Sequence, residues 1–203
     1  MITNFVDGGH VDPCDSYKSP SHLHSSPRSN HLLTIALIMS FILNTFGLQA
    51  TSDQQVANHA VAYLIGNWFF AHGVLSTRPA KRLLRLDHNV APRDDLTTYG
   101  EAAVQAGKIT RRQLNRLKRQ EAAHANAMEG FPLFVAAILV ALHTDLPHET
   151  INVIGAWYTL SRVAFGLAYV FIESEGWSFV RSVLWWSGNV SCITALVAGG
   201  KRL

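Results

Sequence analysis

The sequence predicts an all-α membrane protein whose core is a four-transmembrane-helix bundle. Three observations predict it: 48% of the 203 residues are hydrophobic, only 15% are charged, and the apolar residues gather in long blocks. A helix needs about 20 mostly apolar residues to cross about 30 Å of hydrocarbon. Four blocks have roughly that length, and they cover residues 59–76, 130–146, 151–172 and 179–199.

The N-terminal part of the chain predicts two further segments ahead of these blocks. Residues 1–30 are rich in Ser, Pro, His and Asp without apolar periodicity, a composition typical of a disordered polar tail. Residues 31–50 are apolar with polar interruptions, which predicts either an accessory hydrophobic helix or a signal-like segment cleaved near Ala50. The long polar stretch before residue 31 is unusual for a signal peptide and favours the accessory helix.

The distribution of charge predicts how the chain is oriented in the bilayer. Residues 77–126 form a hydrophilic connection that holds 11 of the 17 Lys and Arg residues. The short turn between the second and third blocks holds Asp145 and Glu149 and no basic residue. Because cytosolic connections are enriched in Lys and Arg, we expect the basic connection in the cytosol. A basic run tethered between two spans favours phospholipid contact over nucleic-acid binding.

The second half of this connection predicts a helix that continues into the second span. Residues 108–128 contain no Gly or Pro and are rich in good helix formers, and Thr110 is placed to cap them. In one continuous helix, Asn126 and Glu129 share a stripe, whereas His124 points to another side. We therefore expect His124 to be a packing residue.

Polar side chains from three spans are predicted to meet near the cytosolic face. Asn126 and Glu129 lie at the mouth of the second span, and Tyr169 lies at the cytosolic end of the third. Arg181 and Ser182 open the fourth span at the same level. Ionisable residues within spans are costly, so they face the bundle interior and mark functional sites. The cluster therefore predicts a site for a charged ligand.

Arg162 lies about two turns deeper than Tyr169, on the same face of the third span. It either pairs with Glu129 to hold two helices together or completes the site for a charged ligand. Guanidinium groups grip carboxylates bidentately and a carboxylate pairs with an ammonium, so the cluster suits a small zwitterionic or polyanionic molecule. The sequence shows no Cys or His spacing typical of a metal site, and we expect no metal.

Three short motifs at these positions resemble the MAPEG family, the membrane-associated proteins in eicosanoid and glutathione metabolism. They follow one another in the family's order within residues 59–200. The motifs are residues 119–132, with His-x-Asn-x-x-Glu and a proline; residues 161–169, with Arg and Tyr seven positions apart; and residues 180–182, with Arg-Ser.

The resemblance implies a four-helix fold assembled as a homotrimer, in the endoplasmic reticulum or another internal membrane. It also implies that glutathione, as co-substrate, binds between subunits near the cytosolic face, with a lipophilic small molecule as second partner. Asn126, Glu129, Tyr169 and Arg181 match glutathione-contacting positions, and we expect Arg162 to bind glutathione with them.

Arg181 and Ser182 match the region of the family that stabilises the thiolate, so they are the expected catalytic residues. Positive charge and hydrogen bonds favour the anionic form of a thiol. The thiolate can then attack a lipophilic electrophile that arrives from the membrane. The predicted function is therefore that of a membrane-bound glutathione-dependent transferase or peroxidase.

Two departures from the family pattern leave an alternative open. Ala122 stands where the transferase branches usually have Arg, and Phe165 stands where the third span often has His. Both favour a non-catalytic lipid-binding or scaffold protein on the same fold, whereas the retained Tyr169, Arg181 and Ser182 favour an enzyme.

Overall fold

The computed structural model describes residues 27–45, 47–48 and 56–203 of the chain. Two π-helical turns, Phe70–Val74 and Asp95–Tyr99, adjoin α-helices in this part of the chain. The α-helices of the described ranges are α1 (Pro27–Thr45), α2 (Ala60–Phe69), α3 (Arg78–Leu83), α4 (Gly100–Gln105), α5 (Arg111–His143), α6 (His148–Phe171) and α7 (Phe179–Gly200). Among the described helices, α5, α6 and α7 are long and apolar enough to cross a membrane.

The first predicted span, residues 59–76, is a shorter helical segment in the structure. Helix α2 and the π-helical turn after it contribute 10 and 5 residues. Their combined rise of about 22 Å falls short of the hydrocarbon thickness of about 30 Å. This segment packs on α6, where the ring of Tyr63 leaves no room for a side chain at Gly155.

Helix α1 covers most of the predicted accessory segment, residues 31–50. It begins at Pro27, four residues inside the stretch assigned to the polar tail, because proline is well suited to the first position of a helix. Its apolar part, Leu32–Asn44, is shorter than a membrane span. The remainder of the predicted tail, residues 1–26, lies outside the described residues.

The chain after α1 is held by the buried side chain of Asn152 at the start of α6. The Asn152 amide donates to the carbonyls of Gly47, at 3.0 Å, and Ala57, at 2.8 Å, and its oxygen accepts from the N–H of His59 at 2.9 Å. Gly47 has φ +63° and lies so close to Asn152 that a side chain would clash there. These hydrogen bonds tie Gly47 and the chain before α2 to the start of α6.

The core of the bundle lies where α5, α6 and α7 meet. Phe134 stacks on Tyr158 with 4.0 Å between ring centroids, and the Tyr158 hydroxyl donates to the carbonyl of Gly130 at 3.1 Å. Small residues such as Ala137 and Ala195 are completely buried between the helices. Because small residues allow helix backbones to approach closely, these three helices are held side by side.

Helix α5 confirms the prediction that the basic connection continues as a helix into the second span. Thr110 accepts from the backbone N–H of Gln113 at 3.2 Å, and the Gln113 side chain accepts from the N–H of Thr110 at 2.8 Å, which is a capping box. Its 33 residues extend about 50 Å, so about 20 Å project beyond the hydrocarbon.

The first half of the basic connection is folded against the projecting end of α5, an order that the sequence analysis did not predict. Lys81 and Asp95 are both buried and form an ion pair, with 2.9 Å between Nζ and Oδ2. The backbone N–H of His88 donates to Asp95 Oδ1 at 3.0 Å. Burial raises the pKa of Asp95, but the hydrogen bonds from Lys81 and His88 outweigh it and hold this pKa below its ordinary value.

Asp95→Asn is expected to destabilise the protein by up to about 3–5 kcal/mol at neutral pH, because it removes the carboxylate 2.9 Å from the buried Lys81 ammonium and leaves only the more distant Glu121, at 3.9 Å, as a counter-charge. The depressed pKa of Asp95 means that its contribution is complete above the ordinary aspartate pKa of about 3.9 and is lost as the pH falls through the lower folded-state pKa. Thermal unfolding of the detergent-purified protein at a series of pH values is therefore expected to show the wild type approaching the variant below about pH 4.

The matched control is Asp94→Asn, which removes the neighbouring exposed carboxylate. It should change the unfolding temperature little at any pH. A difference between wild type and Asp95→Asn that stays constant down to strongly acidic pH would contradict the role given to the ion pair.

Candidate functional site

A cleft of about 560 Å³ opens among α5, α6 and α7 at the end of the bundle predicted to be cytosolic. Four of the predicted site residues line it, namely Asn126, Tyr169, Arg181 and Ser182. The structure therefore brings together side chains from three separate helices, as the sequence predicts. The other residues that line the cleft are Phe165, Ser178, Phe179, Trp185 and Trp186.

Arg181 is positioned by an aromatic ring. Its guanidinium carbon lies 4.5 Å from the centroid of the Tyr169 ring, and Tyr169 meets the edge of Phe165 with 5.4 Å between centroids. Stacking on a ring orients the guanidinium plane and leaves its N–H groups at the edge. Within the described part of the chain, Arg181 makes no ion pair and no hydrogen bond through its side chain. It is therefore a cation available to a ligand.

Asn126 and Ser182 add neutral hydrogen-bonding groups to the cleft. The Asn126 amide donates to the carbonyl of Ala122 at 3.1 Å, one turn back in α5, which leaves its oxygen available as an acceptor. Ser182 is exposed in the first turn of α7. The positive end of the α7 dipole lies at this level and favours an anion beside Arg181.

Arg162 lies in the core, beneath the cleft, and does not line it. Its side chain is 2% exposed, and Nη2 donates to Asn189 Oδ1 at 2.6 Å. The guanidinium carbon lies 4.9 Å from the ring centroid of Tyr158 and 5.8 Å from that of Phe165. Its Nε and Nη1 atoms are buried without a hydrogen bond from the described residues. The predicted pairing of Arg162 with Glu129 is therefore wrong, because Arg162 donates to Asn189 instead.

Glu129 is separated from the other predicted site residues. It is exposed on α5 and makes no ion pair within the described ranges. Three positions along a helix correspond to a rotation of about 300°, so Glu129 lies about 60° around α5 from Asn126. Glu129 is not among the residues that line the cleft.

The part of the cleft contributed by Ser178, Phe179, Trp185 and Trp186 was not predicted from the sequence. A signal for the polar part of it is present in the sequence. Ser178, Ser182, Trp185 and Asn189 are spaced 4, 3 and 4 positions apart, which places them on one stripe of α7.

His124 packs against the π-helical turn that follows α2, which agrees with the packing role predicted for it. Its Nδ1 is 2.7 Å from the carbonyl of Ala71, which ties α5 to the π-helical turn that follows α2. Because a carbonyl only accepts, Nδ1 must carry the proton and Nε2 is left without one when the ring is neutral. His124 also lines a second cleft, of about 440 Å³, together with Lys81 and Glu121.

The fold and the cleft together define a class of protein: a helical integral membrane protein with a cationic, hydroxyl-bearing cleft at one end of its bundle. The sequence model of the MAPEG family matches residues 87–200, more than half of the chain, and the chain belongs to that family. Members of the family are glutathione-related transferases and peroxidases or non-catalytic proteins. Comparisons with curated proteins and with solved structures gave no match.

Gly188→Ala tests the packing that holds Arg162 beneath the cleft. A Cβ at this position would lie 2.5 Å from Ser161 Oγ and 3.3 Å from Arg162 Nε. The variant is expected to lose about 1–3 kcal/mol of stability through overpacking, measured by thermal unfolding in detergent. Gly66→Ala in α2 is the matched control, because nothing lies within 4 Å of its Cβ. Equal unfolding temperatures for the two variants would refute this packing.

Proposed function

We propose that this protein is a membrane-bound glutathione-dependent transferase or peroxidase that acts on lipophilic electrophiles. The observation that carries the proposal is the stack of Arg181 on Tyr169, with Ser182 beside it, in a cleft that also contains Trp185 and Trp186. One wall of the cleft suits an anionic, hydrogen-bonding ligand. The other wall is aromatic and suits a lipophilic molecule that arrives from the bilayer.

Arg181 and Ser182 would act on the thiol of glutathione. A free cysteine thiol has a pKa of about 8.5, and an adjacent arginine and a hydroxyl donor lower it by favouring the anion. The sulfur then uses a lone pair to form a bond to an electrophilic carbon, and the displaced electrons leave with a group that takes up a proton. With an organic hydroperoxide, the thiolate attacks the terminal oxygen and the O–O bond breaks. The sulfur becomes a sulfenic acid, and the departing alkoxide takes up a proton and leaves as an alcohol.

The remaining charged groups of glutathione match the predicted binding residues. The N–H groups of Arg181 that do not face the sulfur suit a carboxylate, with a hydrogen bond from the Tyr169 hydroxyl, and the Asn126 oxygen can accept from an N–H of the ligand. Arg162 would act on the ligand through space, because its positive potential is weakly screened in the bundle core. Glu129 would pair with the ammonium of a glutathione molecule held against a neighbouring subunit.

A homotrimer of four-span subunits, in the endoplasmic reticulum or another internal membrane, belongs to this proposal. The exposed position of Glu129 supports an assembly, because a carboxylate that faces lipid near the mouth of a span is costly and a neighbouring subunit would cover it. The segment that contains α2 would be the first of these four spans, completed by the residues that flank it.

A non-catalytic lipid-binding or scaffold protein is the second candidate. The observation that favours it is Phe165, whose buried ring lies between Arg162 and the cleft. Phe165 and Ala122 are apolar residues at two positions where the transferase branches have polar side chains. In this reading, the cleft holds a lipid or a partner helix and performs no chemistry.

Calorimetric titration of the detergent-purified protein with glutathione separates these candidates. We expect saturable binding that Arg181→Ala weakens at least about tenfold, because a hydrogen bond to a charged group contributes about 1.5–3 kcal/mol. Glu129→Gln is expected to weaken binding only if the protein forms an oligomer, because Glu129 would then face a glutathione molecule held against a neighbouring subunit. The control is Arg93→Gln, which removes an exposed arginine outside the cleft and should leave the affinity unchanged.

Absence of saturable heat at millimolar glutathione would rule out the enzyme. Saturable binding without conjugation of a generic electrophile and without reduction of a hydroperoxide would instead support the binding or scaffold protein.

A further inference from the structure

A separate charged cleft lies where the projecting end of α5 passes the last turn of α6. Its volume is about 310 Å³, and its walls include Arg112, Gln113, Arg116, Phe171 and Glu173. It shares no lining residue with the cleft around Arg181. The proposed glutathione chemistry therefore gives it no role.

Arg116 is held in this cleft by an aromatic ring. Its guanidinium carbon lies 4.7 Å from the centroid of Phe171, and its side chain makes no ion pair with the described residues. A guanidinium that stacks on a ring keeps its edge free, and that edge matches two oxygens of a phosphate. Arg112 lies one turn earlier on α5, is 83% exposed in its side chain, and has only a long contact of 3.4 Å with Glu173.

The positive charge of this region is only partly neutralised. Arg119 Nη2 lies 2.9 Å from Glu173 Oε1, so this carboxylate already has a closer partner than Arg112. Three arginines, Arg112, Arg116 and Arg119, face one carboxylate, Glu173, which leaves two positive charges in excess. An anion that carries phosphate and a further negative charge is complementary to that excess.

The depth of the cleft matches the headgroup layer of a bilayer. The 24 residues of α6 rise about 36 Å, which exceeds the hydrocarbon thickness of about 30 Å, so we expect Phe171, in the last turn of α6, at the edge of the hydrocarbon. Arg116 lies at the level of Phe171, and Arg112 lies about 6 Å further out along α5. Phe171 is 59% exposed and Leu167, one turn deeper, is 55% exposed, so an apolar surface continues from the cleft into the membrane.

We propose that this cleft binds the headgroup of an anionic glycerophospholipid of the surrounding bilayer. The phosphate lies against the free edges of Arg116 and Arg112, and the acyl chains run along Phe171 and Leu167 of α6. The site fixes the level of α5 in the membrane and is independent of the glutathione cleft.

Calorimetric titration of the full chain in detergent with dioctanoyl phosphatidylserine tests the site. We expect saturable binding that Arg116→Gln weakens about fivefold and the double change Arg112→Gln with Arg116→Gln weakens about 25-fold, because each basic residue near an anionic surface contributes about 1 kcal/mol. Arg93→Gln removes the same charge from an exposed position outside the cleft and should bind like the wild type. Arg112→Gln alone changes an exposed side chain and should leave the fold intact, so weaker binding by this variant reports on the cleft and not on folding.

Dioctanoyl phosphatidylcholine and inorganic phosphate are the comparison ligands, and both are expected to bind at least about tenfold more weakly than phosphatidylserine. Phosphatidylcholine lacks the net negative charge that the cleft matches, and inorganic phosphate lacks the acyl chains. Phosphatidylcholine that binds as tightly as phosphatidylserine would overturn the proposal. Inorganic phosphate that binds as tightly would assign the cleft to a soluble anion and overturn the lipid assignment. An equal loss in Arg93→Gln would show unspecific attraction by the basic face and would also overturn it.

Discussion

The buried guanidinium of Arg162 sets the arrangement of the three long helices. It lies between Gly130 of α5 and Gly188 of α7, where an added Cβ would lie 3.5 Å from its Cζ and 3.3 Å from its Nε, respectively, and it donates to Asn189. A charge in this environment is tolerated only when rings and hydrogen bonds surround it. The helices therefore meet at one defined level. That level brings Asn126, Tyr169 and Arg181 to the same cleft.

Two arginines of the bundle, Arg162 and Arg181, have opposite surroundings and therefore different roles. Arg162 is enclosed by Tyr158, Phe165 and Asn189, so in the proposed function it would act on a ligand only through its electric field. Arg181 has its edge open to the cleft and is oriented by Tyr169. Arg162 holds the three helices together, and Arg181 is the arginine that a ligand in the cleft would contact. This division explains how a chain with Phe165 at a position often occupied by histidine can retain a cationic cleft.

Local signals predicted most of the fold, and long-range contacts account for the differences. The cap at Thr110 and the continuous helix α5 depend on neighbouring residues, so the sequence predicts them correctly. The stripe rule placed Arg162 on the correct face of α6, but it does not show which partner lies opposite, and Asn189 takes that place. The order of the basic connection depends on Lys81 and Asp95, which lie 14 positions apart and meet only after folding.

The ionisation of bound glutathione is the most direct test of whether Arg181 and Ser182 stabilise a thiolate. Ultraviolet absorbance of the thiolate, followed against pH at saturating glutathione, gives the pKa of the bound thiol. The account predicts a midpoint at least about one unit below the ordinary value of about 8.5, and a return toward that value in Ser182→Ala, which loses one hydrogen-bond donor to the anion. A midpoint equal to that of free glutathione would contradict a thiolate stabilised by Arg181 and Ser182.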